Sequence, residues 1–234
     1  MKTFIRTALF AAMMASSVNY ATAADVNTKT IQQMAGATAT TSLSASKTAL
    51  IVVDIQNEYF EGKGFKGKMV IPDGMQALNN SKKLVEYAHA KGMPVFFVRH
   101  LGPKDSPLFA DGSVYAEFHK DLQPTSKDTI ITKATPSSFV GTDLDAQLKK
   151  RGIEKVIVTG LMTHMCISST ARDAVPLGYS VIIPEDATAT RDLNDWKNGV
   201  VDHNVLQRAA LAGVADVFAE IRTTSDVMAL PLTK

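Results

Sequence analysis

The chain has 234 residues, 25 Lys and Arg against 23 Asp and Glu, 45% hydrophobic residues and a single cysteine. So even a balance gives no electrostatic case for nucleic acid or anionic lipid as a partner, and one cysteine excludes an internal disulfide framework. The length and apolar content suit one globular domain with a full core.

Lys2 and Arg6 precede an apolar run, ALFAAMMASSV, and Ala21-Thr22-Ala23 closes it as an A-x-A site, so residues 1–23 are predicted to be a signal peptide. The run is too short to span a bilayer, and nothing later approaches about 18 uninterrupted apolar residues. A periplasmic or secreted protein with no membrane association after cleavage is the expectation. Removal of Lys2 and Arg6 would bring the basic residues to 23, equal to the acidic ones. Residues 24–46 are rich in Ala, Thr and Ser without strong periodicity and read as a flexible N-terminal arm. The remainder, 47–234, reads as one domain.

Within that domain, apolar runs alternate with amphipathic segments. Residues 49–53 (ALIVV) form the first predicted strand. A helix follows from about Pro72, with Met75, Leu78, Val85 and Ala88 on one side and Gly92 as its stop. Strands are then predicted at 94–98 (PVFFV) and 129–132 (TIIT). A helix over 143–151 ends before Gly152 and leads to a strand at 155–158 (KVIV). A helix over 166–177, stopped by Gly178, leads to a strand at 180–183 (SVII). A last helix, about 195–212, leads to a strand at 215–218. Short apolar strands joined by helices predict a doubly wound α/β fold with a mainly parallel six-stranded sheet and helices on both faces. The connection 100–128 is long and carries Gly102, Pro103, Pro107, Gly112 and Pro124, which marks it as a lid or binding loop. Tyr115, Phe118 and Trp196 read as core or lid packing.

Ligands of open parallel sheets bind outside the carboxyl ends of the strands. Asp54 ends the first strand, Lys133 ends the third, and Cys166 follows the fourth by a few residues. Singly each has an ordinary structural reading: an Asp that caps a turn, a solvated Lys, a buried thiol. Together at one sheet edge they form a candidate catalytic set.

These residues, with DIQNEYF after the first strand, Ser138-Phe139 after Lys133, TGLMTHMCISSTARDA, and Gly178-Tyr179 and Asp186-Ala187 around the fifth strand, resemble the isochorismatase-like cysteine hydrolases, which include nicotinamidases and related amidohydrolases. The resemblance spans residues 47–218. It implies a catalytic triad of Asp54, Lys133 and Cys166 and an oxyanion hole from the backbone N–H groups of Met162 and Cys166. It also implies a cis peptide between Leu161 and Met162 and a homo-oligomer. True isochorismatases, which cleave a vinyl ether, generally lack the nucleophile, so Cys166 argues for acyl chemistry.

A thiol in the first turn of a helix, near a Lys ammonium, is expected to yield a thiolate near neutral pH. Asp54 would accept its proton and Lys133 would hold the carboxylate. The substrate pocket is expected to involve Tyr59, Phe60, Phe139, Leu161 and His164. His164 lies two residues from Cys166, on another helix face, and so lines the pocket or packs instead of forming a dyad. Asp173 and Asp186 read as helix or turn partners.

Neither half of such a reaction needs a cofactor. Metal-bearing relatives carry an Asp-x-His pattern after the second strand, whereas this chain offers only His100, Asp105 and His119 there, so no metal site is expected. The sequence thus points to a cysteine hydrolase of a small non-peptide amide or related acyl substrate, acting through a thioester on Cys166. An isochorismatase- or nicotinamidase-type hydrolase, a noncatalytic protein and a redox thiol on the same fold are the alternatives.

Overall fold

The structure, a computed structural model, describes residues 28–62, 65–66 and 68–233. The expected signal peptide lies outside the described residues. Seven strands form the central sheet: β1 (Thr48–Val53), β2 (Val95–His100), β3 (Thr129–Lys133), β4 (Lys155–Leu161), β5 (Ser180–Pro184), β6 (Thr188–Ala189) and β7 (Glu220–Arg222). The order across the sheet is β3-β2-β1-β4-β5-β7, every pairing is parallel, and β6 adds to the end of β4.

Side chains of β1 point alternately to the two faces, as a pleated strand requires. Leu50 and Val52 join one core with Val95, Phe97 and Ile157, while Ala49, Ile51 and Val53 join a second with Phe96, Val98 and Val158. The first core is covered by α1 (Gly74–Lys91) through Ala77, Leu78, Leu84, Val85 and Ala88, and by α5 (Thr224–Ala229) through Val227. The second is covered by α2 (Leu144–Lys150), α3 (Ser168–Ala174) and α4 (His203–Ala215) through Leu144, Leu148, Ala171, Ala174, Leu211 and Val214. Burial on both faces explains why the strands read as nearly continuous apolar runs.

Several boundaries differ from the sequence reading. Met75 is exposed, because the first turn of α1 is anchored instead by Gly74 against the ring of Phe60. The helix that the sequence reading placed last, α4, starts at His203, not near Asp195, since the side chain of Asp202 accepts the Asn204 N–H at 2.8 Å as its N-cap. Asp195 closes a turn by accepting the N–H groups of Lys197 and Gly199, and the flanking residues, Leu193–Asn194 and Val200–Val201, pair as a small antiparallel hairpin. Trp196 stands in that turn, 88% exposed, and packs neither core nor lid. The strand after α4 is Glu220–Arg222, because α4 runs through Ala215 and residues 216–218 form a turn. The described part of the segment read as an arm, residues 28–46, is laid along the domain. Asp216 accepts two N–H groups from Ile31 and Gln32, Glu220 accepts from the Thr40 N–H, and Leu43–Ser44 pairs in parallel with Leu232–Thr233.

Gly160, near the end of β4, decides how closely β4 approaches β1. It lies opposite Val53 in the parallel register with φ of 116°, and a β-carbon there would stand 1.9 Å from the Val53 carbonyl oxygen. Only a glycine permits that contact. Gly160→Ala is expected to lower the unfolding free energy in urea titration by about 3 kcal/mol or more, combining overpacking with backbone strain. Gly141→Ala, where φ is 72° but the space is open, should cost only about 1 kcal/mol.

Candidate active site

The strand order reverses direction between β1 and β4, and the crevice beyond the carboxyl ends of those two strands is where open α/β sheets hold ligands. Asp54 is the first residue after β1 and adopts a left-handed conformation, φ 51°, which breaks the strand direction at that point. Its N–H donates to Val98 O at 2.9 Å, and the Gln56 N–H donates to its carbonyl at 2.8 Å. On the other side of the crevice, Cys166 lies in a turn of π-helix, Thr163–Ile167, that runs directly into α3. The helical segment therefore begins three residues earlier than the sequence suggested and ends at Ala174, short of Leu177. Single π turns of this kind recur at functional sites.

Lys133 ends β3, two strands from β1, a separation of about 10 Å at the usual strand spacing. Only a long side chain bridges such a gap, and its ammonium Nζ arrives 2.7 Å from Asp54 Oδ2 and 3.4 Å from Cys166 Sγ. The side chains of Asp54 and Lys133 are fully buried. Nζ also donates to Thr135 O at 3.1 Å and stands 3.3 Å from His100 Nδ1. The loop after Lys133 is tied to the cysteine helix through Thr170, whose hydroxyl accepts the Ser138 N–H at 3.0 Å and donates to Ser138 Oγ at 2.9 Å. Thus the three residues expected to form a triad are brought together.

The electrostatics correct one expectation. Burial first, and then the facing Asp54 carboxylate, push the Cys166 thiol up to about 12, and the opposing pull of Lys133 is smaller. The resting site therefore holds a neutral thiol, not the thiolate the sequence led one to expect. Burial alone would pull the Lys133 ammonium down, but Asp54 and Cys166 outweigh it and hold it above its ordinary value. Neither Asp54 carboxylate oxygen has a hydrogen-bond partner among the described residues, and with Oδ2 in the ion pair to Lys133, Oδ1 is left as an acceptor for the thiol proton.

The residues proposed for the pocket divide. Tyr59 is buried and held well above the usual phenol range, first by burial and then by the charge of Asp54, so it remains an O–H donor. Phe139 stacks on Tyr179 at 5.9 Å and shares the second core with Cys166. Leu161 is buried, and the Leu161–Met162 peptide is cis. Met162 immediately precedes the turn that contains Cys166. His164 is hydrogen-bonded through Nδ1 to Thr190 Oγ1, and burial followed by the Arg191 charge lowers its pKa. Phe60 is occupied by packing against His119 and Gly74. Asp186 is a structural staple, accepting from the Thr224 N–H and hydroxyl at 2.7 and 2.8 Å while its carbonyl accepts from Asn80.

Three site features escaped sequence reasoning. His100, which the sequence offers only as a metal-ligand candidate, contacts Lys133 Nζ through Nδ1. Thr163, in the cysteine turn, is buried with no partner for its hydroxyl among the described residues. Arg191 has a buried Nε without a partner, and its charge is felt by both Tyr59 and His164. Arg191 lies in an aperiodic stretch, where nothing in the spacing marks it. A cleft of 410 Å³ between the start of α1 and α4, lined by Asp73, Glu185, Thr190, His203 and Gln207 among others, contains no member of the triad. Among the described residues, Asp192, Asp202 and His203 form a group whose potential metal-ligating atoms lie within 4.8 Å of one another. His203 Nδ1 is already paired with Asp192 at 2.8 Å and Asp202 already caps α4, so these groups are engaged with each other at the surface.

An isochorismatase domain matches residues 48–226. The chain belongs to the isochorismatase family. It is 36% identical over 178 residues to the uncharacterized isochorismatase family protein YddQ of Bacillus subtilis, covering 76% of this chain and 96% of that protein. It is 35% identical to the secreted isochorismatase effector Isc1 of Verticillium dahliae over 79% of this chain and 92% of the relative. A third relative, the ureidoacrylate amidohydrolase RutB of Acinetobacter baylyi, is 30% identical over 62% of this chain and 71% of its own length. Among solved structures, an isochorismatase from Pseudomonas putida KT2440 superposes with a TM-score of 0.77 and 31% identity, over 85% of this chain and 98% of that one. The protein is thus an isochorismatase-family hydrolase with the doubly wound fold of that family.

The opposing effects of Asp54 and Lys133 on the thiol can be separated. At about pH 9, Asp54→Asn should be alkylated at Cys166 by iodoacetamide faster than wild type, and Lys133→Met slower, by about tenfold for each unit that the thiol pKa moves. Rates are read by mass spectrometry of the peptide carrying Cys166. Shifts of the same sign in both variants would contradict the electrostatic assignment.

Proposed function

We propose that this isochorismatase-family hydrolase cleaves a small non-peptide amide, or a related acyl compound, through a thioester on Cys166. The observation that carries the reading is one buried ammonium, Lys133 Nζ, standing 2.7 Å from an acid and 3.4 Å from the chain's single thiol. Because the resting thiol is neutral, activation is a proton transfer at the moment of attack. The sulfur adds to the amide carbonyl carbon as its proton passes to Asp54, and the carbonyl electron pair moves onto oxygen. The N–H groups of Met162 and Cys166 are the assigned oxyanion donors. As the intermediate collapses, the C–N bond breaks and Asp54 gives its proton to the departing nitrogen. Water then adds to the thioester while Asp54 takes its proton, the C–S bond breaks, and the acid leaves as the proton returns to sulfur. Lys133 remains cationic throughout and offsets whichever of Asp54 and Cys166 carries negative charge. The buried Tyr59, which feels the Asp54 charge, offers a further donor, which suits a substrate with a carbonyl or carboxylate oxygen.

Cleavage of a vinyl ether offers a thiol no carbonyl to add to, which disfavours that reading for a site with Cys166 at its centre. A nicotinamidase-type metal site would need His100 and His119, and these side chains are engaged with Lys133 and with Phe60 and Asp121. A redox sensor would lack a resolving thiol, since the sequence has one cysteine. The amide reading is in keeping with the name of the amidohydrolase relative.

Export belongs to the same proposal. It rests on the charged start, apolar run and A-x-A site, in keeping with a secreted relative, and no helix among the described residues is long and apolar enough to cross a membrane. N-terminal sequencing of protein recovered from an exporting host should begin at or near Ala24, and an intact Met1 on protein retained in the cytoplasm would defeat the idea. The chemical core of the proposal is tested by Cys166→Ala. This variant should fold within about 1 kcal/mol of wild type but lose on the order of 10⁴-fold or more in turnover of any amide that wild type hydrolyses. Wild type quenched during turnover should carry the acyl group on the Cys166 peptide. Substantial hydrolysis by Cys166→Ala would sink nucleophilic catalysis by this thiol.

A further inference from the structure

Cys166, Asp54 and Lys133 are only 5%, 0% and 2% exposed, so a substrate reaches the sulfur only if part of the wall around them moves. The long connection after β2 divides into a fixed part and a loosely held one. Residues 114–119 are stapled to the segment that follows Asp54. Gln56 Nε2 donates to Ala116 O at 2.6 Å, Asn57 donates through its N–H to Glu117 O at 2.9 Å and through Nδ2 to Val114 O at 2.8 Å, and the His119 N–H donates to Ile55 O at 2.9 Å. Residues 102–111 instead close on themselves. The Gly102 N–H donates to Phe109 O at 2.9 Å, the Asp111 N–H to Gly102 O at 3.2 Å, and Ser106 Oγ to Leu108 O at 2.6 Å. A surface loop packed on itself with its ends together is one unit, and loops of that kind serve as lids.

Among the described residues, two hydrogen bonds reach from this loop to distant parts of the chain. The Phe109 N–H donates to Glu58 Oε2 at 3.3 Å, and Lys68 Nζ donates to Pro107 O at 2.6 Å. Glu58 is buried, and its other oxygen accepts the Lys68 N–H at 2.9 Å. Phe109 is left-handed, φ 52°, a conformation that is costly for a bulky residue and persists only where its surroundings hold it. Held in this way, its ring lies against Tyr59, centroids 5.4 Å apart, and against His100 at 5.1 Å. His100 Nδ1 stands 3.3 Å from Lys133 Nζ, which stands 3.4 Å from Cys166 Sγ. The strained residue is therefore two side chains away from the sulfur.

We propose that residues 102–111 are a lid over the site and that Glu58 is a positioning residue, the latch that holds the lid shut through the Phe109 N–H. When that N–H leaves the carboxylate, the loop lifts as a unit with its internal hydrogen bonds intact, water takes up the freed donor and acceptor, and Phe109 withdraws from Tyr59 and His100. Closing returns the ring to both side chains and shuts bulk solvent off from the reacting groups. Lys68 assists from the opposite side through Pro107. Glu58 touches no reacting atom and acts through the loop. What passes under the lid rests on the cysteine-hydrolase reading, whereas the ties themselves belong to the resting protein.

Iodoacetamide at about pH 9 reports on access to Cys166 without a known substrate. Glu58→Leu removes the acceptor, and Lys68→Met removes the ammonium while keeping most of the stem. Each lost tie raises the population of the open lid, so alkylation should quicken about tenfold in Glu58→Leu and about threefold in Lys68→Met. Removing an anion and removing a cation push a thiol pKa in opposite directions, so an electrostatic effect would speed one variant and slow the other. In wild type, the amide of Phe109 should be at least about tenfold less protected from hydrogen exchange than those of Gly102 and Asp111, whose bonds lie inside the lid. Alkylation that slows or stays unchanged in either variant, or a Phe109 amide as protected as the other two, would overturn the proposal. If Glu58→Leu fails to fold, Lys68→Met and the wild-type exchange still decide it. Hydrolysis surviving in Cys166→Ala would instead sink the thioester reading and leave these access results intact.

Discussion

A lysine ammonium and an aspartate carboxylate, both fully buried and 2.7 Å apart, form the interaction on which the organisation of this site depends. Neither group could be dehydrated alone, and such a pair is held in place only when its remaining hydrogen-bonding groups are satisfied. The surrounding structure supplies that support for the ammonium, while the Asp54 oxygens have no hydrogen-bond partner among the described residues. Thr135 O and His100 Nδ1 take up the rest of the ammonium, Gln56 locks the Asp54 loop to the end of β2, and Thr170 ties the loop after Lys133 to α3. Removing one partner of a pair this deeply buried typically costs about 3–5 kcal/mol. The fold and the chemistry therefore share the same residues.

The pair also explains how a thiol can be both buried and reactive. A cysteine made permanently anionic would be exposed to oxidation, whereas here burial and the Asp54 charge keep the thiol protonated at rest. In the proposed mechanism, reactivity is released only when a carbonyl accepts the sulfur, because Asp54 is then neutralised by the same proton that leaves the thiol. The total charge among Asp54, Lys133 and Cys166 does not change in that transfer. In a buried site this matters, since shifting charge between adjacent groups is far less costly than creating it.

The parallel sheet makes the arrangement possible. Its order places the ends of β1 and β4 side by side at the switch point, and Gly160 lets those two backbones approach to a distance that no side chain would allow. Lys133 must then reach across β2, which brings it past His100 on the way to Asp54. A histidine at the end of β2 is thus placed by topology against the ammonium that touches the thiol, although it is 66 positions away from Cys166 in sequence.

Much of this was legible in the chain itself. The apolar runs and their punctuation by Gly92, Gly152 and Gly178 determined the strands, most of the helices and the parallel character of the sheet, because burial on both faces demands continuous apolar strands. The rule that ligands sit at strand ends was enough to single out Asp54, Lys133 and Cys166. What the sequence could not reveal depended on distance between residues far apart in the chain. The neutral state of Cys166 follows from burial and from an Asp 112 positions earlier, while the sequence displays only the helix and the nearby lysine that favour a thiolate. The contact of His100 with the Lys133 ammonium and the burial of Arg191 Nε depend on residues far away in the chain, and local pattern carries no trace of them. The start of the last helix turned on whether Asp195 or Asp202 captures the free N–H groups, a contest between two chemically identical caps that only the tertiary path of the hairpin decided.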